Sequence, residues 1–432
     1  MNERKQLAQI GKYPVIRKLG EGATSEVYLC HDPFGDRDVA IKVAFPETFD
    51  DPERGKLYRK LFVTEASLAG KLNHPHICQI YDAVADEKAH YIVMEYVNGG
   101  TLEKFCRPEM LLPVDRIVEI IFKCTRALEF AHKAGVTHRD IKPANILYTG
   151  ETDVKITDFG AALITSAATT QVSAIGSPAY MSPEQVKEHA LDHQTDIYSV
   201  GVVMYHLLTG RLPFNAANNF SLIYQITNVD PDPVTMFRPE IPEAVEAIVK
   251  HAMAKDLKER YRQWEDFSLD LAEAFRAQHL GAHKAQEFAD SDKFETLRKL
   301  PFFEQFSDAE LWEVARMSSW RHASMGELLM KEGETGDFFC ILAEGQVKVT
   351  KKGKLLNLLR TGEPFGEMAY LSKGEEHVRG ADVSVVHDAD IISVPTQKLA
   401  SASDACRHKF DRAFMEILVE RLSMANLRLS GV

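Results

Sequence analysis

Residues 138–147 read HRDIKPANIL and set a carboxylate (Asp140), an amine (Lys142) and an amide (Asn145) within one short stretch. The carboxylate can take the proton of a hydroxyl, and the ammonium can lie beside an anionic group in transit. The amide oxygen can ligate a hard cation. A second carboxylate, Asp158, follows 18 residues after Asp140 in an Asp-Phe-Gly triplet and offers another hard oxygen. Upstream, Lys42 is the one charge in the apolar run Val39-Ala40-Ile41-Lys42. A base, two cations and two metal-binding oxygens are the working parts of phosphoryl transfer. The bland alternative is a polar turn between two strands, which rarely orders so many polar side chains in this way.

Several elements must hold these groups. Residues 39–43 and 91–96 are strand-like, and helical periodicity dominates after residue 112. Glu65 shares a helical stripe with Leu61, Leu68 and Leu72, so its carboxylate needs a partner on a buried face, and Lys42 is the natural one. An isolated strand lysine would more often be a solvated edge residue. The mixed α/β unit is expected to span residues 10–276, with a polar linker at 277–293. Ser307-Asp308-Ala309-Glu310 carries the capping-box pattern that starts a short helix. From 326 to 394, short β-rich runs separated by glycines predict a small antiparallel barrel or jelly roll. Residues 410–429 read as an amphipathic helix, with Phe410, Phe414, Ile417, Leu418 and Leu422 on one face.

Composition sets the class. The 432 residues are enough for two or three domains, and 45% hydrophobic with 26% charged is an ordinary globular mix. A formal net charge of -12 argues against nucleic acid or an anionic membrane surface as partner. Six scattered cysteines form no C-x-x-C pair, so neither a disulfide framework nor a zinc site is indicated. The start, MNERKQ, is not that of an ordinary signal peptide, and the apolar run at 198–208 suits a buried helix better than a bilayer span. A soluble protein of the reducing cytoplasm is the expectation.

The catalytic stretch resembles the catalytic loop of eukaryotic-type (Hanks-type) Ser/Thr protein kinases, and further motifs carry the resemblance over about 270 residues. It implies an α+β, bilobal protein-kinase fold using ATP and Mg2+ to phosphorylate protein substrates. Leu19, Gly20, Gly22 and Val27 (LGEGATSEV) match the loop over the phosphates, with Ser25 where the family has a third glycine. Residues 91–100 match the strand and hinge around adenine. Met94 would line the back of the pocket, backbone groups near Glu95 and Val97 would hydrogen-bond the base, and Ala40, Val27 and Leu147 would sandwich it. The resemblance gives Asp140 as base, Lys142 and the Lys42–Glu65 pair as phosphate clamps, and Asn145 and Asp158 as metal ligands. Ser182-Pro183-Glu184, Asp196 and Arg260 match structural positions, Glu184 pairing with Arg260 (Arg262 being the lesser candidate) and Asp196 anchoring the catalytic loop. Lys142 and Ser177 suit Ser/Thr acceptors. Arg139 matches the arginine that receives a phosphate from the activation segment, which here carries Thr165, Ser166, Thr169, Thr170 and Ser173. Autophosphorylation is expected at Thr169 or Thr170.

Residues 294–432 resemble the cyclic-nucleotide-binding domain of catabolite-activator-type regulators, on DFFCILAEGQVKV and PFGEMAYL. The resemblance implies a β-barrel/jelly-roll with flanking helices that takes cyclic AMP or cyclic GMP as effector. Gly366 and Ala381 would allow close backbone approach, Glu367 would accept the ribose 2′-hydroxyl, Arg379 would pair with the phosphate, and the terminal helix would be a lid. Residues 372–377 lengthen the segment between Glu367 and Arg379, adding Glu375 and Glu376, and Asp382 stands where the family has threonine. Three alternatives remain in view: a barrel that docks without a ligand, a non-catalytic ATP-binding scaffold that signals through it, and a small-molecule phosphotransferase.

Overall fold

A computed structural model of the chain describes residues 8–22, 25–45, 66, 70–85, 90–159, 178–279, 290–371 and 378–429. The chain divides into two units, Met1–His279 and Leu280–Val432.

The first unit opens with a six-stranded antiparallel sheet: β1 (Gln9–Ile10), β2 (Tyr13–Glu21), β3 (Ser25–Asp32), β4 (Arg37–Ala44), β5 (Ile80–Ala85) and β6 (His90–Glu95), in the order β1-β2-β3-β4-β6-β5. Period-two alternation sorts β4 between its faces. Val39 and Ile41 join a core with Tyr28, Cys30, Tyr91 and Val93. Ala40 turns the other way, into a cluster with Ala66, Cys78, Ile92 and Met94, against which Leu19, Val27 and Leu147 pack. Lys42, two residues on from Ala40, shares that second face.

A three-stranded sheet follows, β7 (Gly100–Thr101), β8 (Ile146–Gly150) and β9 (Asp153–Ile156), in that order. Segment 74–78 stitches β9 in place. Ile156 N–H donates to the His76 carbonyl and Cys78 N–H to that of Ile156, both at 2.8 Å. The described α-helices include α1 (Val114–Lys133), α2 (Pro183–Val186), α3 (Gln194–Thr209), α4 (Asn219–Asn228), α5 (Glu243–Ala252) and α6 (Trp264–His279). The apolar run at 198–208 lies in α3, of which every residue but His206 is buried. That all-round burial explains a hydrophobicity that could be mistaken for a membrane segment.

In the second unit α7 (Asp290–Lys299) precedes α8 (Asp308–Met317), which opens with the expected capping box, Ser307 N–H donating to Glu310 at 2.7 Å. The barrel consists of β10 (Ser319–Ala323), β11 (Leu328–Met330), β12 (Phe338–Lys351), β13 (Lys354–Arg360), β14 (Pro364–Phe365) and β15 (Asp382–Pro395). Its main order is β10-β15-β12-β13, with β11 on β15 and β14 on β12. Not all of its strands are the short runs expected, since β12 and β15 each have 14 residues. Gly345 bends β12 without ending it. Its φ is +97°, and a Cβ there would lie 2.4 Å from the Asp388 carbonyl oxygen. Register shifts on either side of Glu344 absorb the bend.

A short helix, α9 (Met368–Leu371), follows β14, and α10 (Asp404–Leu429) closes the chain. The last helix starts six residues before the expected position, and only some of its predicted apolar face is covered. Phe410 and Phe414 are buried among Phe302, Phe303, Phe306 and Phe339, whereas Leu418 is 41% and Leu422 63% exposed.

All six cysteines are buried and unpaired. Burial pushes every thiol up, to about 11 or about 12. No described helix is long and apolar enough to cross a membrane.

Candidate functional site

The loop between α1 and β8 carries the first set of groups. Lys142 Nζ lies 2.7 Å from Asp140 Oδ2, and Asn145 Nδ2 donates to the Asp140 carbonyl at 2.8 Å and to Oδ2 at 3.1 Å. Asp140 Oδ1 therefore has no donor among the described residues, and Asn145, with its amide hydrogens committed, presents Oδ1 as an acceptor.

The loop is pinned from beneath. His138 N–H and Arg139 N–H donate to the two oxygens of Asp196 on α3, each at 2.7 Å. Burial acts to raise the Asp196 pKa and outweighs these bonds and the nearby positive charge. Asp140 N–H donates to His138 Nδ1 at 3.2 Å, so that nitrogen is the acceptor and Nε2–H donates to the Thr157 carbonyl at 2.9 Å. Gln185 Nε2 caps the Arg139 carbonyl at 2.8 Å. Replacing Asp196 by asparagine would set an amide against one of its two N–H donors. It is expected to cost about 1–3 kcal/mol, read as a lowered denaturation midpoint.

The second set comes from the sheets. Thr157 N–H donates to the Asn145 carbonyl at 2.9 Å, coupling the end of β9 to the loop. The next residue, Asp158, receives Lys42 Nζ of β4 at 2.8 Å on Oδ1, and its Oδ2 has no donor among the described residues. Burial would raise the Asp158 carboxyl, but Lys42, with Lys142 adding to it, holds it below the usual range. Arg139 (φ 64°) and Asp158 (φ 63°) both adopt left-handed backbone, which costs a non-glycine residue energy and clusters at working sites. Phe159 packs on the His138 ring, centroids 4.7 Å apart.

Above these groups lies the apolar face of the larger sheet. Leu19, Val27, Ala40, Met94 and Leu147 meet there in one cluster. Gly20 and Gly22 lie opposite Val27 and near Ser25, where Gly22 N–H donates to the Ser25 carbonyl at 2.7 Å. A Cβ at Gly20 would meet nothing within 4 Å, so the fold itself does not require glycine there. Glu95 points away from the cleft, its carboxylate 3.0 Å from Lys155, while its amide donates to the Gln79 carbonyl at 2.8 Å. Val97 is half-buried in the segment that follows. Glu65, Gly160, Thr165, Ser166, Thr169, Thr170, Ser173 and Ser177 lie outside the described residues.

Glu184 and Arg260 form the expected pair. Arg260 Nη1 and Nη2 reach the Glu184 oxygens at 2.8 and 3.2 Å, with Thr195 Oγ1 donating at 3.0 Å. Arg262, the lesser candidate, contributes only its carbonyl, to His193.

In the second unit Gly366, Glu367, Arg379 and Ala381 line one cavity of about 210 Å³, whose other walls include Met330, Val349, Leu359 and Val383. Arg379 is 7% exposed, and its guanidinium donates to the carbonyls of Phe338 (2.7 Å) and Gly366 (3.0 Å). No carboxylate pairs with it among the described residues, and burial lowers its pKa. Gly366 has a φ of +72°, and a Cβ there would lie 2.7 Å from Arg379 Nη1, so glycine is needed for the arginine to seat. Asp382 is turned out of the cavity and accepts Glu332 N–H at 2.7 Å. The lengthened segment at 372–377 lies outside the described residues.

Two polar side chains of the cavity were not foreseen. Arg421 of α10 reaches Glu367 Oε1 at 2.6 Å and the Pro364 carbonyl at 2.8 Å, and Asn357 of β13 faces inward. A signal for Arg421 existed, because it continues the stripe Phe410, Phe414, Ile417 as a lone cation on an apolar face. No such signal marked Asn357, since leucines occupy both faces of KLLNLLR.

A family model of the protein kinase domain matches residues 13–268, more than half of the chain. The chain belongs to the protein kinase family. A second model, of the cyclic nucleotide-binding domain, matches residues 320–405 of this kinase-family chain. Among curated relatives, serine/threonine-protein kinase PrkC of Bacillus subtilis strain 168 is 34% identical over 307 residues, 71% of this chain and 46% of the relative. Serine/threonine-protein kinase PknB of Mycobacterium leprae strain TN is 37% identical over 286 residues, 65% of this chain and 45% of the relative. PknB of Mycolicibacterium smegmatis is 36% identical over 281 residues, 63% and 44% respectively. The chain thus spans less than half the length of these relatives. The fold is α+β, a protein kinase domain followed by a β-barrel/jelly-roll cyclic-nucleotide-binding domain.

Proposed function

We propose that this chain is a Ser/Thr protein kinase that transfers the γ-phosphoryl group of ATP to protein hydroxyls under the control of a cyclic nucleotide. The observation that carries the catalytic reading is the convergence of Lys42 and Asp158 at 2.8 Å with an intact Asp140–Lys142–Asn145 loop. Asp140 Oδ1 accepts the proton of the incoming hydroxyl, and Lys142, held 2.7 Å from Oδ2, stands beside the phosphoryl group in flight. Lys42 steadies the α- and β-phosphates, with Glu65 as its second carboxylate. The adenine ring lies between Ala40, Val27 and Leu147, with backbone polar groups near Glu95 and Val97 at its edge.

Asn145 Oδ1 and Asp158 Oδ2 are hard oxygens with no hydrogen-bond donor among the described residues, a donor set that suits Mg2+. The ion supplies charge neutralisation along the phosphates when bound. A glycine at position 20 with open space above it leaves room for those phosphates to approach the backbone. Lys142 favours serine and threonine acceptors, and autophosphorylation at Thr169 or Thr170 would bring a phosphate to Arg139.

Radiolabelled ATP with Mg2+ and a generic protein acceptor tests this reading. Incorporation by the wild type is expected on serine and threonine; a protein that binds ATP without transfer would instead be a scaffold. Mass spectrometry of the same reaction is expected to find phosphate on Thr169 or Thr170.

In the second unit a buried guanidinium bonded, among the described residues, only to carbonyls supports a phosphate ligand at Arg379. Glu367 keeps Oε2 for the ribose 2′-hydroxyl while Arg421 holds Oε1. Changing Arg379 to lysine is expected to weaken cyclic nucleotide binding at least tenfold by calorimetry, since a point charge cannot reproduce the fork. Equal affinity would remove Arg379 from the site. Kinase assays of the full chain with and without cyclic nucleotide test the coupling, and identical rates would end it.

A further inference from the structure

Residues 345–362 hold five cations, Lys348, Lys351, Lys352, Lys354 and Arg360, and no acidic residue, in a chain whose net charge is -12. None of the five forms an ion pair among the described residues. Lys351 and Lys354 stand directly opposite each other at the end of the β12–β13 ladder, an arrangement of like charges that costs the hairpin stability.

Exposed leucines accompany this charge. Strict alternation would turn one of two neighbouring strand residues inward. Here the register shifts: Asn357 pairs with Val349 and Leu355 with Thr350, which leaves Leu356 as the extra residue of a bulge. Leu355 and Leu356 are consequently 63% and 52% exposed. Residues 351–356 (KKGKLL) are all exposed, so the tip projects from the barrel. The apolar surface continues over the outer face of the sheet, where Leu328, Ser384, Lys348 and Leu358 form one row across β11, β15, β12 and β13. Leu328 and Leu358, at the two ends of that row, are exposed.

The geometry disfavours two occupants of this surface. β13 ends the strand order, but Asn357 Oδ1 accepts Leu358 N–H at 2.9 Å and Glu363 Oε2 accepts Arg360 N–H at 2.7 Å. Those amides are not open to an added peptide strand. A second copy seated hairpin to hairpin would set five cations against five. An anionic lipid surface suits both chemistries at once: leucines enter the acyl boundary while lysine stems carry their ammonium groups to the phosphates. The net charge of -12 opposes such a surface for the molecule as a whole. Exposed charges farther off than about 8 Å are largely screened, however, so the local cluster decides adhesion.

We propose that the β12–β13 hairpin is a peripheral anchor for an anionic phospholipid bilayer, with Leu355 and Leu356 inserted and the lysines on the headgroup phosphates.

Co-sedimentation of the full chain with vesicles tests the proposal. Vesicles of phosphatidylcholine with about a third phosphatidylglycerol are expected to pellet the protein, and phosphatidylcholine alone is not. Leu355→Ser with Leu356→Ser is expected to weaken binding at least about tenfold, and Lys351→Gln with Lys354→Gln by about as much. All four positions are exposed, and the second pair of changes removes a repulsion, so neither is expected to lower the melting temperature. Binding to neutral vesicles as strong as to anionic ones, or binding that the leucine changes leave intact, would overturn the proposal. No binding to anionic vesicles would overturn it in favour of an acidic protein partner. A dimer in sedimentation equilibrium that the leucine changes dissociate would overturn it in favour of a second copy.

Discussion

Asp140→Asn is expected to lower the rate of phosphate transfer by about 10²–10⁴-fold while leaving the melting temperature and ATP binding close to those of the wild type. The asparagine can keep the loop's internal contacts, because an amide oxygen at the position of Oδ2 still accepts from Asn145 Nδ2 and Lys142 Nζ. What it loses is the anionic Oδ1, the atom with no donor among the described residues, where the hydroxyl proton would go. Single-turnover kinetics with labelled ATP separates this loss from any change in nucleotide affinity. A variant that transfers phosphate at the wild-type rate would show that another group takes the proton.

Arg260→Met is expected to destabilise the kinase unit by about 3–5 kcal/mol, because it strands Glu184 in a buried site. The guanidinium is fully buried and the carboxylate 7% exposed in side-chain terms, so solvent does little to soften the loss. The pair also sets a pH dependence with a definite sign. Burial acts to raise the Glu184 carboxyl, but the hydrogen bonds and charge of Arg260 outweigh it and hold the pKa below 4.5. A carboxylate depressed on folding stabilises the native state fully above its unfolded pKa, and the contribution fades as pH falls through the folded value. Denaturant midpoints of wild type and Arg260→Met are therefore expected to differ most near neutrality and to converge in acid below pH 4.5. A gap that stays constant into acid would mean that the pair stabilises by packing alone.

The catalytic loop was legible in the sequence because its chemistry is local: Asp140, Lys142 and Asn145 bond to one another within a few residues. The strand β4 was legible too, as an apolar run with Lys42 its one charge; its alternation in the structure sets Lys42 on the face that carries Ala40. The approach of Lys42 to Asp158 depends on two sheets meeting and came into view only through resemblance. The barrel was harder to read. Gly345 looked like a strand end, and only the tertiary contact with Asp388 reveals it as a bend inside one strand. Arg421 escaped notice although a charge on an apolar stripe had pointed to Glu65. Asn357 escaped for a firmer reason, since a strand with leucine on both faces does not say which face is inside.

The six buried thiols make the two units separately observable. Cys30, Cys78, Cys106 and Cys124 sit in the first, Cys340 and Cys406 in the second. A thiolate-seeking reagent can reach any of them only when its surroundings open, so alkylation rates in the native protein become clocks for local unfolding. Followed by peptide mapping as ligands are added, those clocks would tell which half of the chain tightens around ATP and which around a cyclic nucleotide, with no engineered probe.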